Sequence, residues 1–127
     1  MKKLIALITL GLIWSCDSEK CSKVSICTDS FESVDVQILD QNSNLVALDS
    51  TATHKSGTKI YSFNEIEEEM EFFEILNDSH RGLVKTSGSE VIFRAWKDGE
   101  LVIEEPYIIG HDCCHIQYID GARHLVL

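Results

Sequence analysis

The sequence predicts an all-β fold, a sandwich or barrel stapled by disulfides. Three observations predict it. Apolar and polar residues alternate with a period of two in one segment after another. Turn signals separate these segments at short intervals. Cysteines cluster near both ends of the chain, where bridges would tie the ends together.

Ser33-Val34-Asp35-Val36-Gln37-Ile38 alternates cleanly and reads as a half-buried strand. Asp40-Gln41-Asn42-Ser43-Asn44 reads as a turn, and Leu45–Leu48 as the start of a second strand. Residues 50–57 look like a loop and Thr58–Phe63 like a third strand. Glu90–Trp96 is a strong strand, with Val91, Phe93 and Ala95 on one face. Asp98-Gly99 is a hairpin signal, and Leu101–Ile109 is the return strand. Cys113–Ile119, Asp120-Gly121 and His124–Leu127 read as a second hairpin. Residues 64–76 are ambiguous between helix and strand. Ile66, Met70 and Phe73 have helical spacing after a possible cap at Asn64, while Phe72–Leu76 suits a strand. The reading adopted is a loop or short helical turn through the acidic part and a strand over 71–77.

The chain begins Met1-Lys2-Lys3 and is apolar from Leu4 to Trp14. A charged start and about eleven apolar residues have the make-up of a signal peptide. A membrane span needs roughly 20 residues. The stretch ends Ile13-Trp14-Ser15-Cys16, with an aliphatic residue at −3 and a small one at −1. This resembles the lipobox of bacterial lipoproteins. The resemblance implies a thioether-linked diacylglycerol on Cys16 and cleavage before it. Residues 1–15 are then signal peptide, 16–26 the lipidated cysteine and a tether, and 27–127 the β-sandwich domain. The expected location is the cell envelope, lipid-anchored at the periplasmic face or the cell surface. Asp17 resembles an inner-membrane retention signal of some bacteria, while acidic residues near the anchor accompany surface export in others.

Removal of residues 1–15 leaves 9 basic against 21 acidic side chains, a formal charge of −12. Such a surface repels nucleic acid and anionic headgroups, so nucleic acid is an unexpected partner. Five cysteines are present. Assigning Cys16 to lipid leaves Cys21, Cys27, Cys113 and Cys114, an even number suited to an oxidising compartment. A bridge between the adjacent Cys113 and Cys114 is strained, so both reach back to the N-terminal segment. On a strand, Cys114 shares a face with Ile116 and Tyr118, and Cys113 with His115 and Gln117. Alternation therefore favours Cys27–Cys114 inside and Cys21–Cys113 nearer the surface. Each closes a loop of about 90 residues, contributing about 4 kcal/mol in the chain-entropy model.

A resemblance attaches to four C-terminal stretches: Phe72–Asp78, Gly88–Phe93, Glu105–Gly110 and Asp112–Ile116. Together with the strand and turn of Val34–Asn44, they look like the small domains of bacterial lipoproteins similar to carboxypeptidase regulatory-like and transthyretin-like modules. The resemblance covers most of residues 27–127. It implies an antiparallel Ig-like or transthyretin-like Greek-key sandwich of about seven strands, without catalytic residues.

His111-Asp112-Cys113-Cys114-His115 is the most suggestive cluster. As a strand it lines His111, Cys113 and His115 along one face, an alternative zinc or copper site. Disulfides would consume its thiols, so no metal and no cofactor is expected, and His115 reads as a hydrogen-bonded rather than a catalytic histidine. The five histidines, at positions 54, 80, 111, 115 and 124, are scattered, and no Gly-x-Ser-x-Gly elbow occurs. Glu65, Glu67, Glu68, Glu69, Glu71 and Glu74 read as a solvated acidic face rather than a calcium or glycosidase site. Asp40-x-Asn42-x-Asn44 imitates a calcium loop, but Leu45 and Thr51 stand where Gly and Glu are needed. Trp96 and Tyr107 read as core or cross-strand residues. The expected function is a non-catalytic, membrane-anchored structural or interaction module with a protein or carbohydrate partner. The alternative is a small-ligand or metal-binding lipoprotein using the His111, Cys113 and His115 face.

Overall fold

The computed structural model describes Cys21 and residues 26–64 and 66–127. The expected signal peptide, and Cys16 with its expected lipid, lie outside the described residues. Among the described residues no helix is long and apolar enough to cross a membrane.

Among the described residues, eight strands form two packed sheets. They are β1 (Ser33–Leu39), β2 (Ser50–Lys55), β3 (Thr58–Asn64), β4 (Phe72–Asn77), β5 (Ser89–Lys97), β6 (Glu100–His111), β7 (Ile116–Asp120) and β8 (His124–Val126). The orders are β4-β1-β8 and β3-β2-β5-β6-β7. The all-β, disulfide-stapled sandwich is as expected. Pairing is antiparallel throughout except between β1 and β8, which run parallel. Val34, Val36 and Ile38 of β1, beside Phe73 and Ile75 of the neighbouring β4, share one core with Val91, Phe93 and Ala95 of β5 in the other sheet. Tyr107 joins them, its ring edge-on to Phe93 with centroids 6.4 Å apart. Burial of each Val, Ile or Phe side chain among them contributes about 1.5–3 kcal/mol.

Four local expectations need correction. The second strand is not Leu45–Leu48 but Ser50–Lys55. Val46 and Leu48 are buried as loop anchors, while Thr51, Ala52 and Thr53 sit in the middle of the large sheet, buried between β3 and β5. β-branched threonine suits that position, and Thr53 Oγ1 satisfies its polarity by donating to the Ile75 carbonyl at 2.5 Å. Second, Ser56 and Gly57 form a two-residue hairpin turn with φ of 50° and 79°. Asp98 and Gly99 do the same with 52° and 77°, the left-handed pair that a type I′ turn requires.

Third, β7 and β8 do not form a hairpin. Asp120-Gly121 carries the chain from one sheet to the other, where β8 lies alongside β1. Gly121 has φ of +131°, and a Cβ there would stand 2.3 Å from the Tyr107 ring. Glycine lets the crossing pass over that ring, whose hydroxyl donates to the Ala122 carbonyl at 2.6 Å. Fourth, the strand expected from Cys113 begins only at Ile116, so both cysteines lie in a bend. Residues 66–71 carry no helix, and β4 takes up the ambiguous stretch from Phe72. A 3₁₀ turn, Asp78–Leu83, follows β4. It is capped by Asn77, whose side chain accepts from the Ser79 N–H.

Candidate functional site

The cysteines and most of the histidines of interest gather in one knot where the N-terminal segment meets the bend between β6 and β7. Cys21 bridges Cys113, and Cys27 bridges Cys114. Strand alternation is not the reason two neighbours can reach two partners, since the bend is not a strand. Cys113 takes a left-handed backbone, φ 74°, which turns adjacent side chains apart.

Asp112 builds that bend. Its Oδ1 accepts the N–H groups of Cys114 and His115 at 2.9 and 2.7 Å, and its Oδ2 accepts Gln117 Nε2 at 3.1 Å. The hydrogen bonds from the His115 and Cys114 backbone hold the Asp112 carboxyl below the usual carboxylate range. His111, the buried last residue of β6, accepts the Cys113 N–H on Nδ1 at 3.0 Å.

His115 turns away from His111 and Cys113. Its Nδ1 meets Asp78 Oδ2 at 2.7 Å, and its Nε2 meets Thr28 Oγ1 at 2.9 Å. The expected face of His111, Cys113 and His115 is therefore not assembled, because the bend breaks the alternation and the Asp78 carboxylate engages the His115 ring. A different set converges: Cys21, His111 and Cys113 bring their donor atoms within 4.8 Å of one another. In this structure both of those sulfurs are in the disulfide.

Asp78 is the residue that sequence reasoning missed. Besides His115 it accepts the Glu32 N–H at 2.9 Å and the Ile116 N–H at 2.7 Å. One carboxylate thus ties the N-terminal segment, the 3₁₀ turn and β7 together. Its partial burial pushes the carboxyl up. The hydrogen bond from His115 and those from the Glu32 and Ile116 backbone outweigh this and hold it low. The same hydrogen bond raises the His115 imidazole against its partial burial, with the charges of Asp78, Asp112 and Glu32 adding to it. Arg81 of the 3₁₀ turn closes the knot by donating to the Cys114 carbonyl. Asn77-Asp78-Ser79 is a cap-like run, but nothing local announces a partner 37 residues away.

A second feature lies at β3, the edge of the larger sheet. Phe63, Ile66 and Met70 line a shallow groove with Glu67 and Glu68. Phe63 and Met70 also line its continuation over Tyr61, Phe73 and Thr51. Phe63 is 45% exposed. The two hollows, 260 and 220 Å³, are smaller than the roughly 300–1,000 Å³ of typical small-ligand pockets, and suit side chains better than whole ligands. Glu67, Glu68, Glu69 and Glu71 are exposed here, Glu74 is half-buried, and Glu65 lies outside the described residues. Asp40 is spent on its own turn, accepting the N–H groups of Asn42 and Asn44 and the Asn44 amide. Tyr107 belongs to the core.

Comparison with protein-family models, with curated proteins and with solved structures gives no match for this chain.

Proposed function

We propose that this protein is a non-catalytic lipoprotein of the cell envelope, anchored through Cys16, that holds an extended partner segment at the open edge of β3. The observation that carries the reading is the Phe63, Ile66 and Met70 groove beside a strand paired on one side only. An edge strand offers unused N–H and C=O groups to an added strand, and alternate side chains of that strand reach the groove. The acidic rim and the formal charge of the chain select a partner carrying Lys or Arg among its apolar residues.

The anchor rests on the Ile13-Trp14-Ser15-Cys16 resemblance and on four cysteines joined as two disulfides, which suit an exported chain. The non-catalytic reading is supported by how the knot spends its groups. Thr28, His115 and Asp78 stand in the order hydroxyl, imidazole, carboxylate. Yet Asp78 is engaged by two backbone N–H donors, and Thr28 lies on an exposed segment beside Ser30 at 2.8 Å. That pattern suits a staple.

The test is binding of extended peptides to the full chain in detergent, followed by fluorescence anisotropy. Peptides alternating lysine with leucine or phenylalanine are expected to bind saturably, more weakly at high salt, and at least tenfold more weakly to Phe63→Glu. Equal binding of glutamate-containing counterparts, or indifference to Phe63→Glu, rejects the edge-strand reading. Incorporation of a labelled fatty acid, abolished by Cys16→Ser, tests the anchor separately.

A further inference from the structure

We propose that the Cys21, His111 and Cys113 corner of the knot is a latent binding site for a soft closed-shell cation, zinc or cuprous ion, locked as a disulfide and opened by a dithiol reductant. The three donor atoms already lie within 4.8 Å of one another. A tetrahedral zinc with Zn–S about 2.3 Å and Zn–N about 2.0 Å sets its ligand atoms roughly 3.5–3.8 Å apart. The sulfurs, bonded now at 2.06 Å, have to part by about 1.7 Å once reduced, and the imidazole nitrogen has to close in by no more than about 1.3 Å.

Three separate segments supply the ligands: the N-terminal tether, the end of β6 and the bend. The β6 end is buried, which keeps the imidazole beside the two sulfurs; its Nδ1 now accepts the Cys113 N–H, so the ring becomes a ligand as the reduced bend releases that hydrogen bond. Cys21 is exposed, so a small reductant reaches the bond. Two thiolates and an imidazole favour zinc or cuprous ion over calcium or magnesium. The fourth position is left to water or an outside ligand. Asp112 is not free to fill it, because both its oxygens hold the bend.

The chemistry balances in two steps. A dithiol gives two electrons and two protons to the Cys21–Cys113 bond, which becomes two thiols, while the dithiol becomes its own disulfide. The cation then displaces the two thiol protons and binds both sulfurs and the neutral His111 ring. The site belongs to the reduced state of the protein and is distinct from the groove at β3.

The experiment uses the full chain in detergent, reduced anaerobically, freed of reductant and titrated with Co²⁺ as a spectroscopic probe, then with Zn²⁺. One Co²⁺ per chain is expected, with a thiolate-to-metal charge-transfer band. Cys114→Ser should keep the band and Cys113→Ser should lose it, although each removes one disulfide. His111→Ala should weaken binding at least tenfold. Alkylation of the reduced wild-type chain gives a reading that needs no variant: saturating Zn²⁺ should protect Cys21 and Cys113 and leave Cys27 and Cys114 open. Equal loss in Cys113→Ser and Cys114→Ser, equal protection of all four thiols, or no charge-transfer band overturns the site.

Discussion

Asp78 and His115 meet at 2.7 Å across 37 residues of chain, with side chains only 12% and 16% exposed. The contact joins the 3₁₀ turn to β7, and through the Asp78 backbone contacts it also fixes the segment carrying Thr28 and Glu32. Removing the carboxylate leaves the Glu32 and Ile116 N–H groups without their acceptor. Hydrogen bonds to a charged group contribute about 1.5–3 kcal/mol. Asp78→Ala should cost about 2 kcal/mol and lower the melting temperature by roughly 10 °C in a domain of this size. Asp78→Asn, which keeps one acceptor, should lose less. Calorimetry of the oxidised chain decides it, and a shift under 2 °C contradicts the staple.

The knot also gives stability a pH dependence whose sign follows from the shifts. His115 is raised above 6.5 in the folded protein, so its contribution is full below that pH and is lost as pH rises through the folded value. Asp78, Asp112 and Asp40 are lowered below 3.8, so theirs is present above that pH and is lost as pH falls through the folded values. His54 works against His115. Burial, then the charges of Arg94 and Lys59, lower it, and its buried Nδ1 has no hydrogen-bond partner, so protonation below 6.5 destabilises the fold. Denaturant midpoints should therefore decline above about pH 6.5 and again below about pH 4. His115→Gln should flatten the alkaline limb alone, and His54→Gln should raise the midpoints below pH 6.5. An unchanged alkaline limb in His115→Gln removes His115 as its cause.

Much of this architecture is legible along the chain. The alternation of Val34, Val36 and Ile38 and the Asp98-Gly99 turn each carry a local signal that survives in the fold. Asp120-Gly121 carries the same turn signal and misleads. The Tyr107 ring under Gly121 and the open side of β1 redirect the chain, and neither is a local property. Ser50–Lys55 is short of aliphatic residues, so its central place is visible only once β3 and β5 flank it. The cysteines mark the knot in the sequence. Asp78, which ties three segments together there, is one acidic side chain among 21 acidic residues, distinguished only by what folding brings to it.

The crossing at Gly121 can be tested against a turn that lacks the crowding. Gly121→Ala places a Cβ 2.3 Å from Tyr107 Cδ1 at a φ of +131°. Gly99→Ala meets only backbone strain, with nothing within 4 Å. Strain of this kind costs about 1–3 kcal/mol, and forced overpacking about 1–3 kcal/mol more. Gly121→Ala should therefore be the worse substitution by about 2 kcal/mol in urea unfolding, with β8 losing amide protection first. Equal losses at the two sites contradict the account of the crossover.

On the proposed lipoprotein reading, the Cys21–Cys113 bridge limits how far the sandwich can stand from the anchor on Cys16. Cys21 stands five positions after Cys16, and Cys27 eleven. Chains of those lengths reach at most about 18 and 40 Å at full extension. Opening the first bridge therefore roughly doubles the reach while Cys27–Cys114 keeps the domain attached. On the proposed lipoprotein reading Trp14 leaves with the signal peptide, and Trp96 is then the sole tryptophan and serves as a natural donor. Energy transfer from Trp96 to an acceptor-labelled lipid should fall in the Cys21→Ser, Cys113→Ser double variant and in wild type whose first bridge is reduced. It should return when the bridge re-forms. Equal transfer in the bridged and open forms would mean that the height is set elsewhere, and the bridge would then be a stabilising staple without a positional role.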